Sequence, residues 1–216
     1  MISRPRFSTE AGRLEAFSDG VIAVIITIMV LELRPPDGTD LHSLHALIPT
    51  FAAYVLSFVF IGIYWNNHHH MLRASDGIDG RVMWANLHLL FWLSLAPLTT
   101  AWLGRNPFAP IPTALYGFVL AMDAIAFFIL QAALVDVNGR GGAFAKAVDA
   151  DVKGKASLAL YLSGIAISFF STIAADALYV AVAVMWIVPD RRFESVIAKR
   201  SDVRKSAGAQ GGRTPE

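Results

Sequence analysis

The sequence predicts an all-α membrane protein with six transmembrane helices. Of its 216 residues, 55% are hydrophobic and only 16% are charged, whereas soluble domains average about 25% charged residues. The apolar residues are collected in runs long enough to cross a bilayer. Lysine and arginine are concentrated in alternate connections between these runs, as is typical of proteins that cross the membrane several times.

The six apolar segments are separated by turn and charge signals. The first ends at the Pro35-Pro36 pair, and Pro97 predicts a kink within the third. The last two segments are almost contiguous, which predicts a tight hairpin. The predicted helices cover residues 9–33, 44–64, 82–103, 112–135, 157–173 and 174–188.

The positive charges predict the orientation in the membrane. Sixteen of the 18 lysine and arginine residues lie before the first helix or at its start, between helices two and three, between helices four and five, or after the sixth helix. Only Arg34 and Arg105 fall on the opposite side. Basic residues favour the cytoplasmic side, so we expect a multi-pass protein of the cell membrane with both termini in the cytoplasm. We predict a transmembrane domain over residues 1–192 and a basic, partly disordered cytoplasmic tail over residues 193–216.

The composition also excludes several classes of function. The sequence contains no cysteine, which excludes disulfides, thiolate metal sites and thiol catalysis. Neither an HExxH nor a GxSxG motif occurs, and no carboxylates are paired at catalytic spacing. We therefore expect no enzymatic activity and no cofactor, and the net charge of +1 gives no indication of nucleic-acid binding.

The first helix carries a narrow apolar stripe formed by Val24, Ile28 and Leu31. At about 3.6 residues per turn, Phe17 and Thr27 fall on or beside the same face. Such a stripe either packs against other helices or, repeated around a symmetry axis, forms a hydrophobic constriction in an ion pore. The residue pattern alone leaves both interpretations open.

Asp19 is a carboxylate within the predicted first span, on a different face from the stripe. A buried carboxylate needs hydrogen-bond donors. The predicted orientation brings two polar segments to the same membrane face. They are the end of the second helix, with Trp65 and the run His68 to His70, and the start of the third, with Trp84, Asn86 and His88. We therefore predict an interhelical network of Asp19, Ser18 and these histidines, with Arg13 nearby. A transition-metal or proton-sensing role for the histidine run stays open.

Asp123 is a second intramembrane carboxylate, near the middle of the fourth helix. An ionisable residue in this position is either held by a structural hydrogen bond or belongs to a proton or ion site. Hydroxyl groups on the fifth predicted helix are the candidate partners. These partners are Tyr161, Ser163, Ser168 and Ser171.

The motif Arg13-x-x-x-Phe17-Ser18-Asp19 resembles the RxxxFSD signature of the transmembrane protein 175 family of endosomal and lysosomal potassium channels, specifically its prokaryotic branch. The resemblance covers residues 13–192. Further matching positions are Gly20, Val21, Leu31-Glu32-Leu33, Trp65-x-x-His68-His69, Pro97 and Pro189-Asp190-Arg191-Arg192.

This resemblance implies a homotetramer in which each subunit has six spans and contributes its first helix to a central pore. It implies a potassium-permeable channel with a modest preference for potassium over sodium. The sequence contains no TVGYG filter. The expected partners are other copies of the chain, membrane lipid and monovalent cations. The implied pore constriction is Val24, Ile28 and Leu31, with Thr27 as the polar pore-lining residue. The implied structural network is Arg13, Phe17, Ser18, Asp19, Trp65, His68 and His69, and no metal site is implied.

Two positions depart from the family pattern. Val24 stands where the family usually has the larger isoleucine, which predicts a looser constriction and weaker selectivity. Asp123 is not a family feature. An alternative function, a proton-coupled secondary transporter, would use Asp19, Asp123 and the cluster His68–His70.

Overall fold

The computed structural model describes residues 6–36, 38–75 and 77–187, and this part of the chain is helical with short connections and no strand. The predicted tail over residues 193–216 lies outside the described residues. The nine helices of the described part are α1 (Arg6–Leu31), α2 (Leu41–His45), α3 (Ile48–Ala74), α4 (Gly80–Leu93), α5 (Ala96–Arg105), α6 (Pro110–Asn138), α7 (Ala143–Asp149), α8 (Val152–Ser168) and α9 (Thr172–Ile187).

Four segments of the described chain are long and apolar enough to cross a membrane. They are Glu10–Leu31, Ile48–Ala74, Gly80–Arg105 and Pro110–Asn138. Helices α8 and α9 have 17 and 16 residues. At a rise of about 1.5 Å per residue the described part of each is roughly 25 Å long, slightly less than the ~30 Å hydrocarbon core. The all-α fold is therefore confirmed, and the six-span count stays a prediction.

The second predicted helix was placed too short. We expected it to end at residue 64, but α3 continues to Ala74 and is followed by Ser75 in an extended conformation. No glycine or proline interrupts residues 65–74, so nothing in the local sequence stops the helix. Trp65 and the histidine run consequently lie on the last turns of α3.

The third predicted span is broken where the sequence indicated. Helix α4 ends at Leu93, and Pro97 lies in the first turn of α5, where its missing N–H costs no helical hydrogen bond. Asp79 caps the start of α4 by accepting a hydrogen bond from the Val82 N–H at 2.9 Å. This bond stabilises the charged carboxylate and lowers the pKa of Asp79 below its usual value.

The predicted hairpin is present, but both its helices start earlier than expected. Helix α8 begins at Val152 because Asp151 caps it, accepting a hydrogen bond from the Gly154 N–H at 2.7 Å. The turn between α8 and α9 occupies residues 169–171, before the predicted junction of the two helices at residues 173 and 174. The side chain of Tyr179 packs directly against Gly117 and Gly164, where a Cβ atom would collide with the ring. These two glycines let α9 approach α6 and α8 closely.

The connection between α6 and α8 contains a helix that the sequence did not reveal. Helix α7 packs against α6, and its Phe144 and Ala145 are buried. The charged residues of this connection therefore surround a small apolar anchor.

Two apolar clusters hold the bundle together, and both include residues of α3 and α6. The first joins these helices to α1 and α4, and the second joins them to α5, α8 and α9. Helix α1 packs against α3, α4 and α5. It lies at the edge of the bundle, which leaves one of its faces uncovered.

Candidate pore-lining helix and its polar contacts

Helix α1 has a buried face and an exposed face. Its buried residues face α3, α4 and α5 and follow helical spacing: Leu14, Ser18, Ile22, Ile25 and Met29. The predicted stripe lies on the opposite face, where Val24 is 54% exposed, Ile28 44% and Leu31 77%. The described part of the chain therefore leaves this apolar stripe uncovered, although its role in a pore stays a prediction.

The uncovered stripe continues into an open groove that α1 shares with the broken span α4–α5. Gly20, Val24 and Ile28 line one side of it, and Pro97 and Leu98 line the other. The break at Pro97 thus borders the same space as the stripe.

Thr27 lies beside the stripe and is exposed. Its hydroxyl donates a hydrogen bond to the Val24 carbonyl oxygen at 2.9 Å. The hydroxyl proton is therefore directed back to the helix, and the oxygen lone pairs remain for a polar ligand such as a cation or its hydration water.

Arg13 and Phe17 do not join the polar contacts that the sequence assigned to them. Phe17 is 53% exposed and lines the groove beside Val24. Arg13 is exposed, and it borders a second groove together with Glu10 and Asp79. Phe17 lies about one turn and Arg13 about two turns before Gly20. Both are on the exposed side of α1, so helical geometry directs them away from α3.

Ser18 belongs to a fully buried chain of hydrogen bonds that joins three helices. The Asn86 side-chain amide donates to Ser18 Oγ at 2.9 Å, and Ser18 Oγ donates to the Leu14 carbonyl oxygen at 2.9 Å. His68 Nε2 lies 2.7 Å from Asn86 Oδ1. Since an amide oxygen only accepts, His68 carries its proton on Nε2 and donates it to Asn86. This chain holds α1 against α4 and α3.

Asp19 makes a separate contact with α3. The Trp65 indole N–H donates to Asp19 Oδ1 at 2.9 Å. One turn earlier on α1, Glu15 Oε1 lies 2.7 Å from His69 Nδ1. The Trp65 and His69 rings are stacked, with their centroids 5.9 Å apart. The single network predicted from the sequence is therefore two systems, one buried and one partly exposed.

Asn86 and Glu15 are the participants that the sequence analysis did not single out. Asn86 connects Ser18 to His68, and it was considered only as one of several polar residues at the start of the third span. Glu15 lies four residues before Asp19, a spacing that puts both carboxylates on one face of α1. This spacing could have identified Glu15 from the sequence. His88, another polar candidate, accepts a hydrogen bond from Trp92 within α4.

Asp123 is buried in α6, with 1% of its surface exposed, but it lacks the predicted partners. Its Oδ1 atom contacts no hydrogen-bond donor in the described part of the chain. Ser163 and Ser171 are exposed, and Ser168 donates to a carbonyl of its own helix. The carboxyl group instead borders a small cavity lined mainly by apolar and aromatic side chains, namely Phe60, Ile61, Tyr64, Ala96, Tyr116, Val119 and Leu120, together with Ser57.

We expect Asp123→Leu to stabilise the protein. A buried polar atom without a partner costs about 1–3 kcal/mol, and a leucine would fill the adjacent cavity. The thermal unfolding midpoint in detergent should rise, whereas Asp123→Asn, which keeps a polar group of similar size, should leave it unchanged or lower it. A loss of stability in Asp123→Leu would show that the carboxyl group makes a favourable interaction.

The helices that carry these contacts are similar in sequence to known proteins. The profile described as endosomal/lysosomal potassium channel TMEM175 matches residues 13–97. A protein named potassium channel from Chryseobacterium sp. (strain P1-3) is 49% identical over 183 residues, which are 85% of this chain and 95% of that protein. The chain belongs to the TMEM175 family.

Two further members support this assignment to the TMEM175 family. A protein named potassium channel from Streptomyces collinus is 38% identical over 149 residues, covering 65% of this chain and 71% of that protein. The crystal structure of a lysosomal potassium-selective channel TMEM175 homolog from Chamaesiphon minutus superposes with a TM-score of 0.74 at 30% identity. The superposition covers 83% of this chain and 97% of the Chamaesiphon minutus chain. The similarity therefore extends over most of the bundle.

Proposed function

We propose that this TMEM175 family member is the subunit of a potassium-permeable channel with a modest preference for potassium over sodium. The bacterial relatives are named potassium channels, and the matched crystal structure is of a potassium-selective channel. The observation that carries the proposal within this chain is the uncovered apolar stripe of α1. A helix that lines a pore between subunits presents such an uncovered apolar face in the isolated subunit.

The proposed assembly is a homotetramer in the cell membrane with both termini in the cytoplasm. Each subunit would contribute six spans, of which α4 and α5 together form the third, and α8 and α9 form the fifth and sixth. Helix α8, with 17 residues, is short enough to require local bilayer thinning or flanking residues at the interface. Four copies of α1 would surround the axis, and the partners of the channel would be lipid and monovalent cations.

The proposed conduction pathway is controlled by rings of apolar side chains. Rings of Val24, Ile28 and Leu31 offer no ligands to an ion, so a narrow arrangement excludes water and blocks conduction. A wider arrangement admits a partly hydrated cation, for which the Thr27 hydroxyl supplies an oxygen ligand. No carbonyl ring replaces the hydration shell, and selectivity is accordingly modest. Transport follows the ion gradient and involves no chemical reaction.

The polar contacts of α1 differ between its two ends. Near one end, the buried chain through Ser18 fixes α1 to its neighbours. At the other end, the Glu32 carboxylate pairs with the Arg105 guanidinium at 2.5 Å, and both side chains are substantially exposed. Exposed ion pairs contribute about 0–1 kcal/mol. The segment from Val24 to Leu31 is therefore held mainly by the buried side chains of Ile25 and Met29, and not by polar contacts.

The proposal is tested by passive flux in vesicles. Purified protein reconstituted into liposomes should release potassium down its gradient at equal internal and external pH, with a membrane-permeant anion present to compensate the charge. Protein-free liposomes provide the baseline. Release that occurs only when a proton gradient is imposed would contradict the channel and favour the proton-coupled transporter that Asp19, Asp123 and the histidine run would serve.

A further inference from the structure

We propose that Glu15, Asp19 and His69 form a binding site for a divalent transition-metal ion such as Zn²⁺. One ligand atom from each of these three residues lies within 4.8 Å of the others. Glu15 and Asp19 come from α1 and His69 comes from α3, so a bound ion would bridge the two helices. The site lies on the flank of α1, away from the apolar stripe.

The donor set matches the chemistry of zinc and its neighbours. Carboxylate oxygens bind Zn²⁺ at about 2.0–2.2 Å and imidazole nitrogens at about 2.0–2.1 Å, and catalytic-type sites commonly have three protein ligands with water in the fourth position. The three ligand atoms lie close enough together for side-chain rotations to bring them to these distances. An imidazole ligand also favours Zn²⁺, Ni²⁺ or Cu²⁺ over Mg²⁺ and Ca²⁺, which prefer oxygen ligands alone.

The contact between His69 and Glu15 is an independent indication. His69 Nδ1 is shielded from solvent and lies 2.7 Å from Glu15 Oε1, yet the pair does not have the geometry of a hydrogen bond. The nitrogen is thus directed into the cluster without a well-aligned partner. Glu15 and Asp19 are like charges one helical turn apart, which repel each other unless a cation lies between them. A metal ion would satisfy all three groups.

The surrounding residues hold two of the ligands in place. Trp65 donates its indole N–H to Asp19 Oδ1 at 2.9 Å, and its ring stacks on His69. Outer contacts of this kind orient metal ligands and strengthen binding. Trp65 therefore limits the side-chain freedom that would be lost when an ion binds.

The neighbouring residue Arg73 opposes metal binding, so replacing it should increase the metal affinity. An Arg73 guanidinium nitrogen lies 3.5 Å from His69 Nε2. When Nδ1 binds a metal, Nε2 carries the proton and needs an acceptor, which an arginine cannot supply. Arg73→Gln removes a positive charge and offers an amide oxygen, so it should tighten metal binding about tenfold.

The test is isothermal titration of ZnCl₂ into untagged, detergent-purified protein. We expect Glu15→Gln and His69→Gln each to weaken binding at least tenfold, which corresponds to about 1.4 kcal/mol. His42→Gln, which alters an exposed histidine of α2, should bind as the unaltered chain does. An excess of Mg²⁺ should not displace Zn²⁺. Gel filtration and circular dichroism verify that every variant remains folded.

The inference is overturned if His69→Gln binds Zn²⁺ with the affinity of the unaltered chain, or if Arg73→Gln weakens binding. Because the titration measures binding directly, its result does not depend on whether the protein conducts ions. Failure of potassium release in metal-free liposomes would contradict the proposed function and leave the metal site standing.

Discussion

Val24→Asn should increase potassium flux and reduce selectivity over sodium. In the proposed pore, a ring of four valines excludes water from the constriction. Asparagine supplies amide donors and acceptors of similar bulk, so water remains in the constriction and ions retain part of their hydration shell. We expect about a tenfold increase in flux, equivalent to lowering the barrier by roughly 1.4 kcal/mol. The measurement is potassium and sodium release from liposomes containing equal amounts of protein.

Two further variants make this result specific to Val24. Val24→Ile restores the larger side chain of the family pattern and should reduce flux while raising selectivity. Val180→Asn introduces the same polar group at an exposed position of α9, a helix that packs against α3, α6 and α8, and should leave both fluxes unchanged. Equal fluxes for all three variants and the unaltered chain would remove Val24 from the conduction pathway.

The apolar runs predicted the long helices because hydrophobic length and breaker residues are local properties of the sequence. Pro97 marked the break between α4 and α5 correctly, since its effect on the preceding carbonyl acts within one turn. The predicted end of α3 was wrong because the helix was bounded where its apolar run ends, although polar residues such as Asn66 and His70 do not break a helix. Helix α7 was missed because its stability depends on Phe144 packing against the bundle, a tertiary contact.

The site was predictable to the extent that it depends on helical periodicity. The spacing of Val24, Ile28 and Leu31 correctly placed them on one face, and the structure leaves that face exposed. Periodicity cannot show which side chains meet across two helices, because that depends on how each helix is rotated and how far it is shifted along its axis. For this reason Asn86 was not identified as the link between Ser18 and His68.

Asp123 also shows that periodicity does not predict contacts between helices. Its position in an apolar run indicated a buried carboxylate, and this is confirmed. The proposed serine partners lie on α8 and its turn, where Ser163 and Ser171 point outward. Whether a residue on one helix faces another is decided by packing, and α8 begins five residues earlier than the sequence indicated, at Val152.

Asn86→Ala should destabilise the protein more than any other single change in the polar contacts of α1. Asn86 is fully buried and is the acceptor for the His68 Nε2 proton. Hydrogen bonds between membrane helices contribute about 0.6 kcal/mol on average. The larger effect comes from leaving the His68 N–H buried without an acceptor, which costs about 1–3 kcal/mol. The thermal unfolding midpoint in detergent should fall accordingly.

A double mutant separates this cost from a simple loss of volume. The combination His68→Phe with Asn86→Leu replaces both polar partners by apolar groups and should recover most of the stability lost in Asn86→Ala. Asn67→Ala is the matched control, because among the described residues the Asn67 amide donates only to the Ile63 carbonyl of its own helix, at 2.9 Å. If Asn67→Ala and Asn86→Ala lower the unfolding midpoint equally, the chain from Ser18 to His68 does not fasten α1 to the bundle. If only Asn86→Ala does so, the hydrogen bonds from Ser18 to His68 anchor α1 to α3 and α4 at this point.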